Sequence, residues 1–168
     1  MGTCAARNRR DGRRSASRPL RQPRPLSLRH AEAPMKAVFA DTAFFLALIN
    51  PRDQYHRSAV EMNAVLAMPL VTTAWVLLEF ANAIAASRAR AKFERVLARL
   101  RLEPDAEIIA AEPDLFDRGC EFYIAHRDKE WSLTDCISFV IMRDRGLTDA
   151  LTADRHFEQA GFKMLLSN

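Results

Sequence analysis

Short apolar runs and longer amphipathic stretches alternate along this chain from residue 36 onward. Lys36–Asp41 is a compact apolar run with β-branched and aromatic members, which predicts a buried first strand. Thr42–Asn50 follows with helical character, and Pro51 marks its end. Gln54–Ala67 repeats apolar residues at helical spacing through Tyr55, Ala59, Met62 and Leu66. Pro69–Thr73 is a second short strand, after which Thr73 or Thr72 caps a helix over Ala74–Ala86. Ala89–Arg101 carries Phe93, Val96, Leu97 and Leu100 on one face and Arg/Lys on the other. Glu107–Ala110 predicts a third strand, and Pro113 opens a helix to about Ala125. Ser132–Arg145 is the next helix, closed by Gly146. Ala150–Thr152 is a fourth strand, Arg155–Ala160 a short helix, and Phe162–Leu166 a candidate edge strand.

Strands alternating with helices imply an α/β fold with a parallel sheet covered on both faces. In such sheets ligands bind beyond the carboxyl ends of the strands. Asp41 and Asp154 fall just past the first and fourth strands, on that rim.

Charge divides the 168 residues unevenly. Residues 1–34 hold nine Arg against Asp11 and Glu32, a net +7, while residues 35–168 hold 16 basic against 19 acidic side chains, a net −3. The first segment is rich in Arg, Ser and Pro and lacks an apolar run, so it is expected to be a disordered tail preceding one domain over 35–168. Arg9-Arg10 and Arg13-Arg14 are followed by no apolar segment, which argues against an export signal. A transit peptide, a basic arm for RNA and a start-site extension ending at Met35 stay open as readings of the tail. Cys4, Cys120 and Cys136 form no spaced pair, so neither a disulfide framework nor a zinc signature is present, and a reducing cytoplasm fits. Charges interrupt every long apolar stretch, so no membrane span is expected.

Four acids stand out. Asp41 ends the first strand, Glu79 interrupts Ala74-Trp75-Val76-Leu77-Leu78-Glu79-Phe80, Asp135 follows Ser132-Leu133-Thr134, and Asp154 follows Ala150-Leu151-Thr152-Ala153. Asp41 and Asp154 each have an alternative as helix caps, and Asp135 as the third-position acid of a capping box. Glu79 is harder to dismiss: a helix apolar on nearly every face is usually buried, and a buried carboxylate costs several kcal/mol unless paired or metal-bound. Asn82 lies on the same face, and an ion pair with a distant Arg is the competing reading. Converging carboxylates repel unless a cation joins them, and an all-oxygen set suits Mg²⁺ or Mn²⁺. Thr42, Thr134 and Thr152 are candidates to orient these acids, Thr134 foremost. Asp149 is set aside by its place before the strand. His56, His126 and His156 show no ligand spacing, and Trp75 and Trp131 are expected in the core.

Val38-Phe39-Ala40-Asp41-Thr42, Leu78-Glu79-Phe80-Ala81-Asn82, Leu133-Thr134-Asp135-Cys136-Ile137-Ser138-Phe139 and Ala150-Leu151-Thr152-Ala153-Asp154-Arg155-His156-Phe157 with Gly161-Phe162, in that order, resemble a PIN domain, the nuclease fold of VapC-type toxins. The resemblance runs from Met35 to Asn168. It implies a three-layer α/β/α sandwich with a central parallel sheet. It further implies metal binding and catalysis by Asp41, Glu79, Asp135 and Asp154, RNA as substrate, a cognate antitoxin that blocks the site, and homodimerisation. The expected activity is Mg²⁺-dependent endoribonuclease, with a metal-bound water attacking the phosphate.

Two other classes remain. A non-catalytic PIN-like module that binds RNA or protein would usually have lost one of the acids. A phospho-acceptor domain of hydrolase type wants a second Asp two residues after the first, and Asp41-Thr42-Ala43 lacks it. The tail generates its own test. A chain beginning at Met35 is expected to melt within a few degrees of the full chain, and loss of its cooperative transition would show that residues 1–34 pack on the domain.

Overall fold

The structure, a computed structural model, describes residues 1–2, 37–65, 68–85 and 89–167. The expected tail, residues 1–34, lies outside the described residues apart from Met1 and Gly2. The elements run β1 (Val38–Ala40), α1 (Thr42–Ile49), α2 (His56–Val65), β2 (Leu70–Thr73), α3 (Ala74–Ala83), α4 (Arg90–Leu102) and β3 (Ala106–Ile109). They continue through α5 (Pro113–Ala125), α6 (Leu133–Asp144), β4 (Asp149–Leu151), α7 (Arg155–Gln159) and β5 (Lys163–Met164). Every expected element is present, with its ends at most three residues from expectation among the described residues, while the expected ends at Lys36, Ala67 and Ala86 lie outside them. Strands and helices are mostly a little shorter than their apolar patterns, because the flanking residues turn into caps.

The five strands pair in parallel in the order β3-β2-β1-β4-β5. Val38 opposes Leu70, and Phe39 opposes both Val71 and Ala150. All three β1 residues are buried, as a central strand covered by helices on both faces requires. From β1 the chain builds outward to β2 and β3 on one side, then returns to lay β4 and β5 on the other. The strand order therefore reverses between β1 and β4, which opens a crevice at their carboxyl ends. Asp41 N–H donates to the Leu151 carbonyl at 3.3 Å across that point.

Local chemistry explains the helix ends. Thr73, rather than Thr72, caps α3 by accepting from Val76 N–H at 3.1 Å, while the Thr72 hydroxyl donates to the Ala40 carbonyl at 2.8 Å. Ser132 and Asp135 form a reciprocal capping box at α6, with bonds of 3.0 and 2.8 Å. Gly119 of α5 stands so close to α6 that a Cβ there would lie 2.3 Å from Ile137 Cγ1. Among the described residues no helix is long and apolar enough to cross a membrane.

The five residues of α7 cannot hold a helix by themselves. Tertiary packing holds it: Phe157 is fully buried, with ring centroids 5.0 Å from Phe139 of α6, 6.1 Å from Phe39 of β1 and 6.4 Å from Phe162. Trp131 extends the cluster, 5.1 Å from Phe139, and its indole N–H donates to Gln159 Oε1. This group of rings ties the end of α7 to both β1 and α6. Phe157→Ala is expected to cost about 3–5 kcal/mol, from lost burial and the cavity left behind. A denaturant midpoint within error of the parent chain would show that α7 is held otherwise.

Candidate functional site

The crevice between β1 and β4 brings Asp135 and Asp154 together, with Asp41 alongside. Asp41 leaves β1 and caps α1, and its side chain is 4% exposed. The Thr152 hydroxyl, fully buried just past β4, donates to Asp41 Oδ2 at 2.9 Å and accepts the Asp154 N–H at 3.0 Å. One hydroxyl thus joins two of the carboxylate-bearing segments. Asp154 caps α7 through Oδ1, which accepts the His156 N–H at 2.9 Å. Asp135 comes in from α6, buried, with Oδ2 accepting the Ser132 N–H. The His156 ring lies between the last two: Nδ1 is 3.4 Å from Asp135 Oδ2 and 3.4 Å from Asp154 Oδ1. The ligand atoms of Asp135, Asp154 and His156 lie within 4.8 Å of one another.

Glu79 is tied to the Asp41 segment through Thr42, the next residue, whose hydroxyl donates to Glu79 Oε2 at 2.5 Å, and neither Glu79 nor Asp41 belongs to the Asp135, Asp154 and His156 group. The environment of Glu79 departs from expectation. The all-round apolar pattern predicted a buried helix, but α3 buries only Val76, Leu77 and Phe80, and leaves Leu78 59% exposed. Glu79 is accordingly half-buried, and its partner is a hydroxyl rather than a distant Arg. The capping alternatives for Asp41, Asp135 and Asp154 are all realised, yet capping does not use up these groups. Asp135 Oδ1 and Asp154 Oδ2 make no hydrogen bond to the described residues, which leaves lone pairs free. Among the described residues no Lys or Arg pairs with any of the four acids.

Electrostatics follows from this placement. The Asp41 carboxyl is raised from 3.8 to about 7, first by desolvation, against the Thr152 hydroxyl and the Thr42 and Ala43 N–H groups that lower it; the nearby Asp135 charge pushes it up further. The buried Cys136 thiol is likewise pushed up, to about 11, by burial and then by Asp135, and stays a neutral core group.

Several sequence readings change in detail. Thr42 and Thr152 hold the carboxylates, whereas no hydrogen bond to the Thr134 hydroxyl is found among the described residues and only its carbonyl accepts, from Ser138. Asp149 sits at the start of β4, at the opposite rim, beside Thr148 and Lys163. Trp131 is buried and Trp75 partly buried against the core, as expected. His156 was not singled out by ligand spacing. The signal available was its place two residues after Asp154, in the first turn of the same short helix. The cavity of about 250 Å³ lined by Phe44, Leu48, Met68, Val96 and Leu100 contains none of the four acids.

Known proteins share this chain's family and fold. The PIN domain family model matches residues 38–163. The 23S rRNA-specific endonuclease VapC20 of Mycobacterium tuberculosis, in strains CDC 1551 / Oshkosh and H37Rv, is 30% identical over 125 residues, 74% of this chain and 95% of that protein. The crystal structure of VapC20, described as a Sarcin-Ricin loop cleaving toxin, superposes with a TM-score of 0.69 at 28% identity, covering 77% of this chain and 99% of that one. FitAcB from Neisseria gonorrhoeae (TM-score 0.53, 17% identity, 76% of this chain and 96% of that one) shares the fold. So does DNA-bound VapBC from Salmonella typhimurium (TM-score 0.53, 16% identity, 77% and 96%).

The raised Asp41 value sets a pH test. Because the folded-state value lies above 3.8, the metal-free native state holds this proton more tightly than the unfolded chain. The associated stability is complete below pH 3.8 and is lost as pH rises to about 7, on the order of 4 kcal/mol in all at about 1.4 kcal/mol per pH step. Asp41→Asn cannot ionise. The melting temperature of the metal-free parent chain, minus that of Asp41→Asn, is expected to fall across this window and level off above it. A difference independent of pH would mean that Asp41 is not desolvated.

Proposed function

The chain belongs to the PIN-domain family of nucleases, and we propose that it is a metal-dependent endoribonuclease acting as the toxin of a toxin–antitoxin pair. Nucleases of this family use a divalent metal ion. Asp41, Glu79, Asp135 and Asp154 are the residues proposed to hold it, as Mg²⁺ or Mn²⁺. The observation that carries this reading is a buried carboxyl, Asp41, whose partner Thr152 also holds the Asp154 backbone and whose neighbour Thr42 holds Glu79, with no Lys or Arg partner among the described residues. Such a set is unfavourable as a structural feature and favourable as a cation site.

When bound, the ion supplies an acidified water and charge neutralisation at a phosphate. This chain's residues do the rest. Thr152 fixes the Asp41 carboxyl and the backbone of Asp154 in one frame. Thr42 orients Glu79. The half-buried Glu79 and Asp154 lie on the accessible side, where a phosphodiester can approach, while Asp41 and Asp135 form the floor.

VapC20 is named for action on 23S rRNA, so structured ribosomal RNA is the first substrate to test for this chain. The toxin reading implies a small antitoxin and expression in the cytoplasm. Homodimerisation is part of the proposal, supported by the exposed Phe116, Tyr123 and Ile124 on α5.

With Mg²⁺ or Mn²⁺ the protein is expected to cut ribosomal RNA at discrete positions. Chelator should stop cleavage, and Ca²⁺ should compete without supporting it, because it acidifies bound water less. Asp41→Asn should lower the rate by about 100-fold or more while the chain stays folded. Cleavage that survives chelation would refute the metal role. Metal binding with every RNA left intact would favour a non-catalytic binding module instead.

A further inference from the structure

We infer that His156 is a nitrogen ligand of the proposed metal centre, and that it biases the site toward Mn²⁺ over Mg²⁺. This rests on the reading of the carboxylates as metal ligands and adds to it a side chain that the acid pattern does not include.

The geometry around Nδ1 carries the inference. It stands 3.4 Å from Asp135 Oδ2 and 3.4 Å from Asp154 Oδ1, equally distant from both. A charge-assisted N–H···O bond closes to about 2.7–2.9 Å, and a single Nδ1 proton serves one acceptor well, not two. Neither contact is therefore a strong ion pair. Neighbouring ligands on one octahedral ion, with arms of about 2.1 Å, stand about 3.0 Å apart, so the two contacts are slightly open of that edge and close onto an ion with a small movement of the exposed ring.

The position is held from two directions. The His156 N–H donates to Asp154 Oδ1 at 2.9 Å, which ties the residue's backbone to the carboxylate its ring faces. The next residue, Phe157, is anchored in the aromatic cluster. The ring is 27% exposed, so an ion can reach Nδ1 without unfolding α7. With Nδ1 as ligand, the ring proton resides on Nε2.

Imidazole nitrogen is a borderline donor. It is well accepted by Mn²⁺ and later first-row ions, whereas Mg²⁺ favours oxygen ligands and retained water. A centre of carboxylates plus one imidazole should then separate ions that an all-carboxylate centre binds alike.

The test reads coordination directly. Mn²⁺ is added to the full-length protein, and electron spin-echo envelope modulation is recorded for directly bound ¹⁴N. The expected result is nitrogen modulation in the unaltered chain and none in His156→Ala or His156→Gln. By calorimetry, the Mn²⁺ Kd should rise about tenfold or more in both variants, and the Mg²⁺ Kd by less than about threefold. Because the spectroscopic reading is made on the unaltered chain, it stands even if a variant folds poorly. Bound Mn²⁺ without nitrogen modulation overturns the role of His156 and leaves the carboxylate site intact. Failure of the unaltered protein to bind either ion sinks both readings together.

Discussion

The burial of the Asp41 charge is the constraint on which the site depends. A carboxyl at the end of a central strand, 4% exposed and near a second buried acid, is pushed up to about 7 without a cation. Its hydrogen bonds from Thr152 and the adjacent N–H groups reduce this penalty and do not remove it. The metal-free protein therefore carries stored electrostatic cost at this point. A divalent ion held there, as proposed, would relieve it and would link binding energy and fold stability through the same atoms.

That constraint sits where the sheet topology makes room for it. Strand order reverses between β1 and β4, and α1 and α7 follow the two strand ends. Asp41, the first residue beyond β1, and Asp154, the third beyond β4, cap α1 and α7, so caps and candidate ligands are the same side chains. An Asp serves both roles because each carboxylate oxygen carries two lone pairs, so one that accepts a backbone N–H still offers another to an ion. Replacing such a residue by Asn retains much of the cap and removes the charge, which separates the two roles experimentally.

Packing away from the crevice decides how well its parts are held. Phe157, Phe139, Phe39, Phe162 and Trp131 form one aromatic group beneath it. The group locks α7 and α6 against β1, and so sets Asp154 and His156 relative to Asp135. A helix as short as α7 has no stability of its own, so the distances at the site are consequences of ring packing.

The order of apolar runs and amphipathic stretches by itself determined the α/β class, the number of strands and helices, and the placement of Asp41 and Asp154 at strand ends. These features depend on local periodicity and on caps, which adjacent residues encode. The sequence motifs also put forward Asp41, Glu79, Asp135 and Asp154 as candidate ligands. Only the tertiary structure decided that Glu79 is half-buried, because exposure of Leu78 depends on which face of α3 its neighbours cover. It also decided that Thr42 and Thr152, rather than Thr134, hold carboxylates, and that His156 stands between Asp135 and Asp154. Those contacts join residues up to 111 positions apart. Their geometry comes from parallel strand register and aromatic packing, and no local pattern in the chain records it.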